Sequence, residues 1–550
     1  MQLTRPLAIG LGLVLAITAA LWLGVAQIGL NSDDYQYIAS LAPMHTLSDA
    51  VRPFVSPDAN PSYFRPLSNM TMVADFLVFG WSGGEYHLTN LFFHLIATAL
   101  VFFVARNLFG LRPIESLLAA LFFGVMASHE FNLAVDTARA DVLAAIFVML
   151  AVLAESGRPP ASRGVFGLVF FALGLLSKEV GILALPLIFL LVIARARSVR
   201  TTVVRAIPYA VVAALFYVYQ SQFTSRTSEV LAGAHGPVNL FRNSAYALGY
   251  TLLPLDLATA TALLSHYRTA AFTIGAIGVA LIVAFLLTRG NRELLRASVI
   301  PLLFTVITGI VLCLAFERWR VYLPSVGLAA VIVLVVSRIP SRAVRSTLRV
   351  LFALLMGWHV FRALTAQAEW VQSTALLERL KQNLTATIEQ ARPHRIGILA
   401  SPSKLGSATV LQVGQQALVT RAEADGGSER NVRDGTTTGA TLDSWTAVEV
   451  FALDASEGFQ GLTTRRVSAL DYILTVPPDS KMMLFPAAYR PDGSARRDVV
   501  LQPGDSIVTD DYIDIVRQVR RGTISSMEVC IRDTTAMLLS FDRSAFDAVP

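Results

Sequence analysis

Apolar runs recur along the first two thirds of this chain, and they constrain its fold more than any other feature. A helix needs about 20 apolar residues to cross a bilayer, and about eleven runs approach that length. They lie near residues 7–29, 88–105, 113–129, 140–154, 163–177, 180–194, 205–222, 270–288, 297–315, 322–337 and 347–364. With 54% hydrophobic and 15% charged residues among 550, the chain is expected to be a polytopic α-helical membrane protein and not a soluble enzyme.

Basic residues fall on every second connection between the runs, and this bias predicts the orientation. The connections near 106–112, 158–163, 195–205, 289–296 and 338–349 carry arginine, so the positive-inside rule assigns them to the cytoplasm. The first run continues to Leu30, which predicts an uncleaved anchor and not a signal peptide. Because the net charge of +6 is spread over many short loops, no nucleic-acid partner is expected.

Three regions follow from this pattern. Residues 1–369 are predicted to form the membrane domain, with outer loops 30–87 and 223–269. A membrane span within 241–260 would place the later arginine-rich connections on the outer side, against the positive-inside rule. We therefore expect a helix in the outer membrane interface there. Residues 370–390 read as a helical connector. Short apolar strands alternating with Gly, Asp and Pro turns predict a strand-rich extracytoplasmic domain, α/β or mainly β, over 391–550.

An acidic pair, Asp33 and Asp34, comes directly after the first apolar run. Asp33 is expected at or just outside the far membrane interface, where ionisable groups are costly and are rare unless paired or functional. The pair therefore predicts either a functional site or simply the end of a hydrophobic segment in a solvated loop.

The first outer loop ends in a stretch with two histidines. His87 and His94 are seven residues apart with Asn90 between them, so on a helix they share a face. A metal pair would more often use positions four apart. We therefore expect hydrogen bonds between helices from these residues and no metal. Arg65, earlier in the same loop, is a further candidate site residue.

The second outer turn carries Arg139 and Asp141 at the mouth of two runs. The planar arginine fork suits a phosphate, whereas the alternative is that these two residues pair with each other or reach toward solvent. Lys178 and Glu179 form a third cluster in an otherwise apolar hairpin, and Lys178 is a second phosphate candidate.

A fourth cluster lies at a later outer edge, and it contains Glu317, Arg318 and Tyr322. Single charges at this depth are usually interfacial anchors. Four clusters that mix acids with cations on one side of the membrane instead predict a site.

Five short motifs follow one another along the chain, at residues 64–67, 87–94, 138–143, 177–179 and 317–327. In this order they resemble the membrane half of the transmembrane and TPR-repeat-containing O-mannosyltransferases, and more widely the protein O-mannosyltransferases and other GT-C glycosyltransferases. The likeness covers about residues 1–375. This chain has Ala138 where that family usually has glycine, and it has no TPR array after residue 375.

The resemblance implies a polyprenyl-phosphate-linked sugar donor and inverting transfer to an acceptor hydroxyl on a protein, glycan or glycolipid. The activity expected is that of a membrane glycosyltransferase of hexosyl or mannosyl type. Asp33 would be the base, and Asp34 would orient substrate or bind Mg²⁺ or Mn²⁺, should a divalent cation be needed. Donor phosphate would contact Arg139, Lys178 and Arg318. Supporting roles would fall to Asp141, Arg65, His87, Glu179, Glu317 and Tyr322.

Two other functions stay open on the sequence. A flippase or other transporter of lipid-linked sugars would be expected to carry charges near mid-bilayer, whereas the charges here gather at one interface. A non-catalytic scaffold that presents the C-terminal region would not explain why four charged clusters lie on the outer side. For each function we expect a multi-pass protein, of the bacterial inner membrane, with the site and the C-terminal domain on the periplasmic side.

Overall fold

A computed structural model describes most of the first 391 residues and short segments after them. The described ranges are 4–31, 34–41, 44–56, 63–156, 162–196, 199–223, 237–254, 292–313 and 317–391, together with the strand segments between 395 and 540. The chain divides into two compact units. One comprises Met1–Ile28 and Met44–Gln367, and the other comprises Gly29–Pro43 and Ala368–Pro550.

The described part of the chain up to residue 391 is helical. Its α-helices are α1 (Arg5–Trp22), α2 (Asp34–Leu41), α3 (Pro66–Phe79), α4 (Gly83–Asn107), α5 (Pro113–Val125), α6 (Glu130–Ala134), α7 (Arg139–Ser156), α8 (Ser162–Ser177), α9 (Ala184–Ala196), α10 (Val199–Gln220), α11 (Pro237–Leu252), α12 (Arg292–Thr308), α13 (Pro324–Arg338) and α14 (Arg342–Ala391). Short 3-10 turns extend α1, precede α9 and follow α12. α14 runs without a break through both the last predicted span and the predicted connector.

Helices occupy the predicted spans, although several are shorter than predicted. Five helices of the described chain are long and apolar enough to cross a membrane, or six if the bent pair Pro113–Val125 and Ala127–Ala134 counts as one span. Four others that match predicted spans are shorter apolar helices, at Gly164–Ser177, Glu179–Val192, Ala297–Val311 and Pro324–Arg338. The predicted span 270–288 lies outside the described residues. These helices make the chain a polytopic membrane protein.

One face of α10 shows where the lipid lies. Val204, Ile207, Val211, Leu215 and Val218 recur every three or four residues and are exposed, with Leu215 at 64% of its full accessibility. Such a continuous apolar stripe would promote aggregation in water. In a bilayer it is the expected lipid-facing surface.

Two helices fall in stretches that the sequence predicts to be outer loops, and neither has the length of a span. α3 lies in the stretch 30–87, which the sequence predicts to be an outer loop, and Pro66 begins this helix. The missing N–H of a proline costs nothing at a first helical position. α11 falls in the stretch predicted to lie in the interface and has 16 residues, whereas a span needs about 20.

Helix α4 extends between two ends of this unit, and each end carries ion pairs. His87 and Arg106 are both in α4, and 19 residues of α-helix place them about 28 Å apart along the axis. At the Arg106 end, Arg338 Nη2 lies 2.5 Å from Glu115 Oε2. The candidate site residues lie toward the other end, as the charge pattern predicts.

Strands are present in the second unit. A five-stranded sheet has the order β11 (Ala536–Ser540), β1 (Arg395–Pro402), β4 (Glu449–Ala452), β7 (Met482–Phe485) and β8 (Val499–Val500). β1 pairs in parallel with β11 and β4, and the remaining pairs are antiparallel. An antiparallel sheet has the order β5 (Thr463–Arg466), β6 (Asp471–Thr475), β10 (Thr523–Ile531) and β9 (Ile513–Arg520), and β2 (Lys404–Leu405) pairs with β3 (Ala408–Thr409). An extracytoplasmic domain over the whole of 391–550 stays a prediction.

Candidate active site

Arg139 is at the centre of a buried polar network. Its side chain has no solvent exposure, and its Nη2 lies 2.6 Å from Asp75 Oδ2 in α3. Its Nε donates to Asn90 Oδ1 in α4 at 2.6 Å, and Nη2 donates to the Tyr86 carbonyl at 3.1 Å. Nη1 donates to Thr71 Oγ1 at 3.4 Å. The guanidinium that the sequence predicts for phosphate is thus surrounded by protein acceptors.

The same network continues to a histidine and a second carboxylate. Asn90 Nδ2 donates to Asp136 Oδ1 at 3.4 Å, and His87 Nδ1 lies 3.1 Å from the same oxygen. All three side chains are buried. His87 therefore makes the contact between segments that the sequence predicts, and its partner is a carboxylate. Imidazole and carboxylate groups are also the common ligands of divalent cations.

Lys178 forms the second buried pair. Its Nζ lies 2.5 Å from Asp141 Oδ2, and its other two N–H donors meet no partner among the residues that the structure describes. Burial lowers the pKa of the Lys178 ammonium, and the nearby Asp141 carboxylate opposes this effect. Gly181 follows on the 3-10 turn and packs directly on the backbone of Gly174, so only a residue without Cβ lets the hairpin close this tightly.

Arg65 and Glu179 make a third pair that reaches the surface. Arg65 Nη2 lies 3.1 Å from Glu179 Oε2, and their side chains are 21% and 23% exposed. The Arg65 guanidinium also lies over the Tyr63 ring at 4.4 Å. Arg65 also interacts electrostatically with Asp141, and Glu179 does so with Lys178, so this pair lies beside the Lys178–Asp141 pair.

Arg318 and Glu130 form the fourth pair. Arg318 Nη1 lies 2.7 Å from Glu130 Oε1, and the Tyr250 hydroxyl of α11 donates to the same carboxylate oxygen at 3.2 Å. The Arg318 guanidinium also lies 4.7 Å from the centre of the Phe131 ring. Glu317 immediately precedes the 3-10 turn Arg318–Val321 and is half-buried.

Tyr322 hydrogen-bonds to His94, and this contact fixes a tautomer. His94 Nε2 lies 3.1 Å from the Gly124 carbonyl, which only accepts, so Nε2 carries the proton. His94 Nδ1 therefore accepts from the Tyr322 hydroxyl at 2.7 Å. The prediction of helix-to-helix hydrogen bonding for His94 is confirmed, since the bonds join α4 to α5 and to the start of α13.

The acidic pair is only partly described. Asp33 lies outside the described residues. Asp34 begins α2, its side chain is buried, and its Oδ2 accepts a hydrogen bond from the Asn31 N–H at 3.4 Å. The base and cation roles predicted for the two aspartates stay predictions.

The ion pairs join the second, third and fourth charged clusters to one another and to the stretch that contains Arg65 and Asp75. The first outer loop contacts the second turn through Asp75 and Arg139, and it contacts the third cluster through Arg65 and Glu179. The second turn contacts the fourth cluster through Glu130 and Arg318. Arg139 and Asp141 do not pair with each other, because each has a partner on another segment. The predicted phosphate-binding roles of Arg139, Lys178 and Arg318 stay predictions.

Sequence reasoning missed three carboxylates of this network as site residues, namely Asp75, Glu130 and Asp136. The signal for Asp75 was available, because it is a lone acid within an otherwise apolar helix, where an ionisable residue indicates a buried partner. Glu130 and Asp136 stand in the second outer turn, but nothing in their spacing identifies Arg318 or His87 as the partner.

No protein-family model matches the chain. The chain is 30% identical over 147 residues to the curated protein "Protein O-mannosyl-transferase Tmtc1" of Drosophila melanogaster, a match that covers 25% of this chain and 17% of that protein. The resemblance to O-mannosyltransferases is confirmed. The chain thus matches about a sixth of the length of that relative, and the activity of the whole relative does not transfer with the match.

Two solved structures are also similar. They are crystal structures of ArnT from Cupriavidus metallidurans, one bound to undecaprenyl phosphate and one in the apo state. They are 13% and 14% identical to this chain, with TM-scores of 0.38 and 0.39, and each match covers 83% of this chain and 95% of that chain.

Proposed function

We propose that this protein is an inverting glycosyltransferase that moves a sugar from a polyprenyl phosphate to an acceptor hydroxyl at the extracytoplasmic membrane face. The observation that carries the proposal is the set of buried ion pairs that joins four separate segments at one end of the helices. Ionisable groups at this depth are costly and mark functional sites. The resemblance to an O-mannosyltransferase supports the reaction class, and a hexosyl or mannosyl donor is the matching proposal.

Lys178 is proposed as the main ligand of the donor phosphate. Its ammonium contacts one carboxylate and has donors left to offer, and a buried cation stabilises the charge that the phosphate gains as the sugar leaves. Arg139 and Arg318 already contact carboxylates. A phosphate contact from either would require it to exchange a partner, so their proposed share in binding is smaller.

Asp33 is proposed as the general base. It would remove the proton of the acceptor hydroxyl as the oxygen attacks the anomeric carbon, and the bond from that carbon to the phosphate oxygen would break on the opposite face. Asp34 would orient substrate, or bind Mg²⁺ or Mn²⁺ if the reaction uses a divalent cation. The acceptor is proposed to be a hydroxyl of a protein, glycan or glycolipid.

The direct test is sugar transfer by the purified protein in liposomes. We expect polyprenyl phosphate to be released from a labelled lipid-linked sugar as the label passes to the acceptor. Asp33→Asn should reduce turnover about a hundredfold to ten-thousandfold, the usual contribution of a general base. The variant should fold normally because asparagine is nearly isosteric with aspartate.

A transporter would behave differently in the same liposomes. It would carry the labelled lipid from one leaflet to the other and leave the bond between sugar and phosphate intact. If Asp33→Asn turns over as fast as the wild type, Asp33 is not the base. If Asp34→Asn is also as active as the wild type, the acidic pair has no catalytic role.

Topology gives an independent prediction. The charge pattern predicts the C-terminal region on the extracytoplasmic side, so alkaline phosphatase fused after residue 375 should be active when the chain is expressed in a bacterium. A fusion of green fluorescent protein at the same position should be dark after export through the secretion channel. Fluorescence from that fusion would contradict the proposed sidedness of the site.

A further inference from the structure

Helix α5 ends in a break that is stabilised by side chains from distant parts of the unit. α5 and the segment Ala127–Ala134 meet at 51°. The Gly124 carbonyl accepts from Trp22 Nε1 at 2.8 Å and lies 3.1 Å from His94 Nε2. On the other side of the break, the Ala127 N–H donates to His359 Nδ1 at 3.1 Å. Each of these groups replaces a helical hydrogen bond that the break removes.

Among the residues that the structure describes, the segment after the break buries polar atoms that have no hydrogen-bond partner. Ser128, His129 and Asn132 have no solvent exposure. Within the described chain, Ser128 Oγ, His129 Nδ1 and both amide atoms of Asn132 meet no hydrogen-bond partner. Buried polar groups in proteins are almost always paired, so each exception calls for an explanation.

These atoms are neutral, whereas the charged residues of the same segment are paired. Glu130 contacts Arg318, and Asp136, which follows the segment, lies next to His87. His129 Nε2 lies 2.9 Å from Ser325 Oγ, whose own proton goes to the Tyr322 carbonyl. His129 Nε2 therefore donates to Ser325, and the Phe123 backbone also interacts with this imidazole ring. The unpartnered set thus combines donors and acceptors without a charge.

We propose that Ser128, His129 and Asn132 bind the hydroxyl groups of a sugar, and that this sugar is the one carried by the lipid donor; this rests on the proposed function. A carboxamide offers both a donor and an acceptor, and so does each hydroxyl of a vicinal pair. Ser128 is in the 3-10 turn Ala127–His129, and Asn132 is in the helix α6 that follows it directly. A charged ligand would instead find no counter-charge among these atoms.

Access to the subsite requires the packing around the segment to open. The three side chains are shielded from solvent, so a sugar reaches them only when the packing around residues 127–134 opens. Ligand hydroxyls then supply the partners that the described residues do not provide. The side chains at the break thus keep the start of the segment in place, while the ligand provides hydrogen-bond partners for its buried polar atoms.

The test is Asn132→Leu, a substitution that keeps the branching of the side chain at Cγ and removes both amide atoms. Without ligand, its melting temperature should equal or exceed that of the wild type, because an unpaired buried amide is lost. A panel of undecaprenyl phosphates bearing mannose, glucose, galactose or N-acetylglucosamine should stabilise the wild type more than bare undecaprenyl phosphate does. Asn132→Leu should lose this extra stabilisation, and its kcat/KM for the best donor should fall about 10- to 100-fold, as expected for two lost hydrogen bonds.

Ser298→Ala is the matched control, since Ser298 Oγ in α12 is also buried without a partner in the described chain. It should change neither the sugar-dependent stabilisation nor the kinetics. An Asn132→Leu protein that keeps the sugar-dependent stabilisation but has a raised KM for a glycan acceptor assigns the subsite to the sugar of the acceptor.

Two results would overturn the subsite. One is a marked drop in the melting temperature of ligand-free Asn132→Leu, and the other is unchanged stabilisation and kinetics. A wild type that no lipid-linked sugar stabilises beyond the bare lipid would also overturn it. Sugar-dependent stabilisation without any transfer would instead reject the proposed glycosyltransferase activity and leave the subsite standing.

Discussion

An Arg139→Met substitution is expected to lower the free energy of unfolding by about 3–5 kcal/mol, the usual cost of removing one partner of a buried ion pair. The side chain is fully buried against Asp75, Asn90 and the Tyr86 carbonyl. Methionine would leave the Asp75 carboxylate without its cation and would remove the Arg139 donors to Asn90 Oδ1 and to the Tyr86 carbonyl. Unfolding of the purified protein by sodium dodecyl sulfate or by heat measures the loss.

The double variant Arg139→Met/Asp75→Asn is the control for this effect. It removes both charges, so it should be much more stable than Arg139→Met alone. A double variant whose loss in unfolding free energy equals the sum of the losses of the two single variants would contradict the ion-pair account. An Arg139→Met protein as stable as the wild type but no longer stabilised by undecaprenyl phosphate would instead support the phosphate-binding role that is predicted for Arg139.

Turnover should fall about a hundredfold to a thousandfold when Lys178→Met is combined with Asp141→Asn. The range is that of removing one preorganised donor from a transition state. Since both charges of the pair are removed together, no buried charge is left unpaired, and the stability should stay within about 1 kcal/mol of the wild type. Initial rates with saturating lipid donor, together with melting curves, separate the two effects.

A second ion pair of the same unit provides the matched control. Arg338→Met with Glu115→Gln removes a pair of similar geometry, Nη2 to Oε2 at 2.5 Å, at the opposite end of the helices. It should leave turnover unchanged. Equal turnover in the two double variants would show that Lys178 does not hold the donor phosphate.

Hydrophobic runs predicted the positions of the helices well, because burial in lipid acts on each run by itself. The runs near 88–105 and 140–154 correspond to α4 and α7 with shifted ends. The break after α5 could not be predicted in this way. It depends on Trp22, His94 and His359, which come from other helices and reach the break only in the packed protein.

Charge placement predicted which segments meet but not which residues pair. Arg139 and Asp141 begin α7 two residues apart, so their side chains point about 200° apart around the helix. Helix geometry therefore already argues against a pair between them. Their actual partners, Asp75 and Lys178, depend on how α3 and the α8–α9 hairpin pack beside α7, and single-sequence patterns do not contain that information.

Helix α3 is attached by ion pairs at two places that differ in their exposure to water. Arg65, at its N-terminal end, makes a pair that is about one-fifth exposed, whereas Asp75 pairs with the fully buried Arg139. Dissolved salt screens exposed charges strongly and buried ones much less. Rising ionic strength therefore loosens the N-terminal end of α3 first, while the Asp75 end stays in place.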